Sequence, residues 1–146
     1  MDSKNKSPEE LLSELSRVNK RLLELEASEE RYRQIVDNAN SIILLMDTKG
    51  NVTFFNKFAQ RFFGFYEKDI VGKNVIGTIV SEKDFPGKGL VQLIRDIEEN
   101  PERHSISENE NIRSNGERVR ILWTNKAIID DSGKIKEILC IGNRLV

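Results

Sequence analysis

Apolar residues recur along the first part of the chain at helical spacing. Leu11, Leu15, Val18, Leu22 and Leu25 follow one another at intervals of 4, 3, 4 and 3. That is the two-per-heptad stripe of a coiled-coil seam, narrower than the face a helix lays on a globular core. Ser7 is placed to cap this helix, Pro8 suits its first turn, and Glu10 stands where a capping-box carboxylate belongs. The stripe predicts contact with a second copy, and in a parallel pair Arg21 at a g position faces Glu26 at an e position of the partner. The alternative is a helix folded back on its own domain. Glu29 interrupts the stripe, and Ser28 is placed to cap a second helix with the apolar face Tyr32, Ile35, Val36 and Ala39. This reading divides the chain into an N-terminal amphipathic helix, residues 1–27, and a globular domain, residues 28–146.

From Ser41 the period changes. SIILLMD is short, apolar and rich in branched residues, TKGN is a turn and VTFFN is a second strand, so an antiparallel hairpin is expected. Asn56 is placed to cap the helix KFAQRFF, which Gly64 ends, and short helical turns separated by Gly72 and Gly77 follow. Leu90, Leu93, Ile94 and Ile97 mark one longer helix that stops before Pro101. Three strands close the chain, with turns at SNGE and DSGK. Two strands, then helices, then three strands predict an α+β fold: one antiparallel sheet with its helices gathered on one face.

One of the closing strands raises a chemical question. Val119, Ile121, Trp123, Asn125 and Ala127 are two apart and share a face that is apolar except for one amide. A buried amide must find partners, so Asn125 either holds the protein's own frame or points into a cavity and holds a ligand. In Ile42–Met46 and Ile135–Ile141 both alternations carry apolar residues, and neither face is assigned.

Composition narrows the classes. The chain of 146 residues suits one domain plus an extra element. A net charge of -1, from 23 basic and 24 acidic residues, gives no field that would recruit nucleic acid or an anionic membrane surface. No apolar run approaches the roughly 20 residues of a membrane span, and the polar start MDSKNKSPEE does not read as a signal peptide. Cys140 and His104 are single residues of their kinds, so neither an internal disulfide nor a multi-histidine metal site is expected, and a reducing, cytoplasmic setting fits. The candidate acids Asp47, Asp69 and Asp84 all adjoin turns, with no nucleophile and base readable beside them, so no enzyme is expected. Gly87-Lys88-Gly89 lacks the longer phosphate-loop spacing, and the charge-rich ISENENIRSNGER reads as a solvated strand pair.

The chain from about Arg31 to Val146 resembles the PAS sensor family. SIILLMDTKGNVTFFNKFAQRFFGF is similar to the family's opening hairpin, asparagine and glycine-ended helix. EKDIVGKNV is similar to its "Glu-Glu-Leu-Ile-Gly-Lys" segment, and IRSNGERVRILWTNKAIIDDSGKIKEILCIGN to its closing strands. The resemblance implies a five-stranded antiparallel sheet in the order 2-1-5-4-3. It also implies a sensing or relay role in a bacterial or archaeal signal-transduction protein such as a sensor histidine kinase of a two-component system. A small-molecule ligand, a homodimer and an output or neighbouring signalling domain are the implied partners.

Mapped onto this sequence, the family's pocket has Trp123 and Asn125 in its lining. Its apolar walls come from Phe54 or Phe55, Ile70, Val75, Ile76, Ile79 and Leu93. The cofactor is not named by the fold, since family members hold haem, flavins, small acids or nothing. The light-sensing flavin branch carries a cysteine after the asparagine of "Gly-Arg-Asn-Cys", whereas here Gly72-Lys73-Asn74 is followed by Val75, which argues against covalent flavin photochemistry. Haem is argued against because His104 lies past the central helix. The family's closing Asp-Ile-Thr is replaced by Arg144, Leu145 and Val146, so the resemblance does not carry over the aspartate through which the family usually couples to an output helix. The rival readings are a ligand-free dimerisation or interaction adaptor and a small α+β enzyme.

Overall fold

The computed structural model describes residues 5–81, 87–100 and 105–145. His104, Asp84, Pro101 and Val146, singled out above, lie outside them. The chain divides into two compact units, Met1–Val36 and Asp37–Val146.

Helix α1 runs without a break over Pro8–Asp37. Its start follows the sequence signal: Glu10 N donates to Ser7 Oγ at 3.2 Å. The expected second helix start at Ser28 is absent, so the boundary read between Ala27 and Ser28 falls inside α1. Ala27, Glu29 and Glu30 favour helix, and a serine cap is used only where the chain has another reason to leave the helix. Continuity extends the 4,3 spacing from Leu25 through Glu29 to Tyr32 and Val36. The stripe faces outward in the single chain, with Leu15 58% and Val18 63% exposed.

The second unit carries β1 (Ile42–Met46), β2 (Val52–Phe55), α2 (Lys57–Phe63), α3 (Glu67–Ile70), α4 (Gly87–Glu99), β3 (Ser105–Ile112), β4 (Arg118–Ile129) and β5 (Ile135–Arg144). The five strands form one sheet in the order β2-β1-β5-β4-β3, and every pairing is antiparallel. The inner face of β4 is the one expected: Val119, Ile121, Trp123, Asn125 and Ala127 are all buried. Register then assigns the faces that alternation could not. Leu44 pairs with Cys140, Met46 with Ile138 and Ile42 with Gly142, and these side chains are buried against the helices. In β2, Phe55 is buried and Phe54 lies on the other face.

Asn56 does more than cap α2. Its Oδ1 accepts from Ala59 N at 2.9 Å and Ile43 N at 3.1 Å, while Nδ2 donates to Ser41 O at 3.0 Å. One fully buried amide thus fixes the start of α2 to the start of β1. At the other end, Gly64 takes the left-handed conformation, φ 80°, that ends the helix. A side chain there would also run into Ser114 of the β3–β4 turn. That turn caps α2 in return: Ser114 N donates to Phe63 O at 2.7 Å and Arg113 Nε to Phe62 O at 2.6 Å.

Candidate functional site

Between the inner face of the sheet and the helical side lies a cavity of about 50 Å³. One wall is apolar: Leu44, Met46, Val75, Ile79, Val80 and Leu93, with Cys140 beside them. The other is made by Ser107, Asn109, Asn111, Trp123 and Asn125 of β3 and β4. No charged side chain belongs to either wall among the described residues.

The polar wall follows from register. Ser105, Ser107, Asn109 and Asn111 oppose Asn125, Trp123, Ile121 and Val119, and opposed residues of an antiparallel pair share a face. The charges of β3 fall on the other face, where Glu108 pairs with Arg120 at 2.9 Å and Glu110 with Arg118 at 3.7 Å. So the segment read as a solvated strand pair is solvated on one face only. The signal was present in the sequence: hydroxyls and amides at 105, 107, 109 and 111 alternate with Ile106, Glu108 and Glu110.

Hydrogen bonds tie part of this wall to the frame. Trp123 Nε1 donates to Asn111 Oδ1 at 3.0 Å, and Asn111 Nδ2 donates to Ile79 O at 3.2 Å. The indole is therefore fixed through Asn111 to the backbone of the apolar wall. Asn125 Nδ2 donates to Ser107 Oγ at 3.2 Å. Its Oδ1 accepts no hydrogen bond among the described residues. No described side-chain polar atom cut off from solvent lacks a partner, so that oxygen opens onto the cavity although Asn125 is only 3% exposed. The Asn109 side chain, half-buried in the same wall, likewise has no hydrogen-bond partner among the described residues.

Of the expected pocket residues, the structure brings together Trp123, Asn125, Val75, Ile79 and Leu93 around the cavity. Phe55 and Ile70 are fully buried in the core but do not line it, Ile76 packs half-buried on the core, and Phe54 faces away. Phe55 instead meets Phe63, with ring centroids 5.9 Å apart. Sequence reading missed Leu44, Met46, Val80, Ser107, Asn109, Asn111 and Cys140 as wall residues.

Burial pushes the Cys140 thiol up to about 12, so it is neutral and unreactive in the folded wall. Asp47 closes the β1–β2 turn, accepting from Lys49 N and Asn51 N at 2.9 Å and from Asn51 Nδ2 at 3.0 Å. Asn74 Nδ2 donates to Lys49 O at 2.8 Å and its Oδ1 accepts from Ile76 N at 3.0 Å, which places Val75 in the cavity wall. The Gly87-Lys88-Gly89 triplet forms the first turn of α4, not a loop ahead of it. No cluster of metal-ligating side chains occurs among the described residues, and no described helix is long and apolar enough to cross a membrane.

The chain is similar over 51 residues, at 31% identity, to the cyclic di-GMP phosphodiesterase PdeR of Escherichia coli (strain K12). That match takes in 35% of this chain and only 8% of the relative's length. In three dimensions it is similar to the PAS domain of an HTR-like protein from Haloarcula marismortui, with a TM-score of 0.72 at 14% identity over 87% of this chain and 99% of that one. It is also similar to the PAS domain of the RpfR quorum-sensing receptor of Cronobacter turicensis in complex with C12:0. That TM-score is 0.61, at 22% identity over 76% of this chain and 99% of that one. At such identities these two likenesses speak to the fold. The PAS fold model itself matches residues 30–145, and the chain belongs to the PAS family.

Proposed function

We propose that this PAS domain is the sensory part of a signalling protein, taking a small ligand between its sheet and helices and passing the change to an output module. The observation that carries the reading is Asn125: an amide buried in a largely apolar wall, bonded to Ser107 on one side and open to the cavity on the other. A polar atom kept there without a protein partner loses free energy unless something else supplies the bond. Dimerisation through the outward stripe of α1, Leu11, Leu15, Val18, Leu22 and Leu25, completes the proposal. It gives two helix packings that a ligand biases by its differential affinity for them.

No catalytic role is assigned to the domain, since Asp47 is engaged in closing a turn. The output is read as a histidine kinase, as the sequence resemblance implies, in a cytoplasmic setting. The Escherichia coli relative favours a second-messenger enzyme as the other reading. Native mass spectrometry of the freshly purified chain tests the proposal. A dimer carrying a small bound mass is expected, and Leu15→Glu with Leu22→Glu leaves monomers that still carry it. A wild-type monomer with no added mass and no ligand-dependent change in Trp123 emission sinks the sensory reading.

A further inference from the structure

The cavity's size, charge and unengaged polar atoms together define a ligand class. We infer that the ligand is a small uncharged molecule of a few non-hydrogen atoms, bearing on a short apolar body a group that both donates and accepts hydrogen bonds, such as a primary amide or an alcohol. This rests on the reading of the cavity as the ligand site.

Size comes first. An apolar cavity of about 150 Å³ holds a benzene, and a single water needs about 10 to 15 Å³. The cavity here, about 50 Å³, lies between them. A haem, a flavin or a long acyl chain fits only if the walls move apart. Charge comes second. With no charged side chain in the walls among the described residues, an ionised ligand gives up its hydration and meets only dipoles there, a cost that a neutral ligand of the same shape escapes.

The head group follows from the amides. Asn111 is engaged at both ends, by Trp123 and by Ile79, which leaves Asn125 and Asn109. As placed, Asn125 offers Oδ1 to the cavity; turned by 180° it would offer Nδ2 instead. A ligand group that is both donor and acceptor meets either orientation, and an Asn109 amide supplies the complementary atom. The apolar body then rests against Leu44, Met46 and Val75.

Trp123 is the chain's single tryptophan and stands in the wall, so its emission reports the site. The whole chain is titrated at pH 7.5 with propionamide, with propionate as a charged probe of equal size, and with dodecanoate as a long one. A saturable change with propionamide is expected in the millimolar range. Propionate should be weaker by roughly tenfold, and so should propionamide on Asn125→Leu. Asn109→Leu, at a half-buried position, repeats the test if the first variant does not fold. Equal or tighter binding of propionate or dodecanoate overturns the ligand class while leaving the cavity as a ligand site. Saturation by propionamide that both variants leave unchanged places binding elsewhere and overturns the inference. No response to any probe overturns the inference and the cavity reading together.

Discussion

The indole of Trp123 lies across Gly142. A Cβ placed on that glycine would stand 2.7 Å from Cζ3 of the ring and 2.8 Å from Cε3, with Ile121 Cγ2 at 2.9 Å. The two residues are directly opposed in the β4–β5 ladder, so the strand that ends the domain has no room for a side chain beneath the cavity wall. Gly142→Ala must push the ring or spread the strands. A loss of about 1 to 3 kcal/mol is expected, with a shift in tryptophan emission. Phe lacks the outer part of the indole, so urea unfolding should show a smaller loss from Gly142→Ala in a Trp123→Phe background. An equal loss in both backgrounds would mean that Ile121, not the ring, is the obstacle.

The two buried amides of the sheet should behave differently. Asn111→Leu strands the buried Trp123 Nε1, which costs about 1 to 3 kcal/mol when left unpaired, and removes one of two hydrogen bonds to Ile79 O, which keeps the one from Ile112 N at 2.8 Å. Asn125→Leu strands one hydroxyl, Ser107, in a wall already half-open to solvent. Chemical denaturation is therefore expected to rank Asn111→Leu as the more damaging. The reverse order would assign the frame to Asn125 and remove the argument for its role as a ligand contact.

Cys140 predicts an alkaline limit. Burial raises the folded thiol to about 12, above its unfolded value near 8.5. A raised folded value means that the folded chain holds the proton longer, so this contribution is whole below about pH 8.5 and is lost as pH rises through the folded value. Cys140→Ser or Cys140→Ala should flatten the fall in stability above about pH 9. Alkylation of the wild-type thiol by iodoacetamide at pH 8 should run at the rate of opening, and faster labelling would mean that the wall is breached in the native state.

At the acid end the group to watch is Asp47. Its partial burial acts to raise the carboxyl, but hydrogen bonds from Asn51 and Lys49, with the Lys49 charge, outweigh it and leave the value lowered. A lowered folded value contributes stability above the unfolded value and loses it as pH falls through the folded one. Asp47→Asn should therefore be less stable than wild type near pH 7, with the gap closing below about pH 4. A gap that persists at pH 2 would assign the effect to shape and not to charge.

These sites show what the sequence carries. Where one alternation was apolar and the other was not, as from Val119 to Ala127, the inner face was readable. In Ile42–Met46 every residue is apolar, so only pairing with β5 distinguishes Leu44 from Leu45. The polar wall of β3 was hidden because its burial depends on Trp123 and Ile121 across the ladder, a long-range fact. Local capping was legible at Ser7 and Asn56, yet the tie from Asn56 to Ser41 and Ile43 was not, since it needs the fold to bring them together. At Ser28 a real cap residue sits among helix formers and goes unused.

That last difference changes the seam. With α1 unbroken, Arg21 at g and Glu26 at e place Leu15, Leu22, Glu29 and Val36 at a, and Leu11, Val18, Leu25 and Tyr32 at d. The stripe is then not ended by Glu29 but interrupted once by it. In a parallel dimer the two Glu29 carboxylates face each other in an otherwise apolar seam, and like charges there oppose association. A polar residue at one a position lowers stability while fixing register. Glu29→Leu is therefore expected to tighten the dimer by roughly tenfold or more in sedimentation equilibrium at pH 7, and Leu22→Glu to loosen it. If Glu29→Leu leaves association unchanged while Leu15→Glu abolishes it, the seam ends before Ser28 and the C-terminal part of α1 is not paired. If neither substitution changes association, the seam is not the dimer contact.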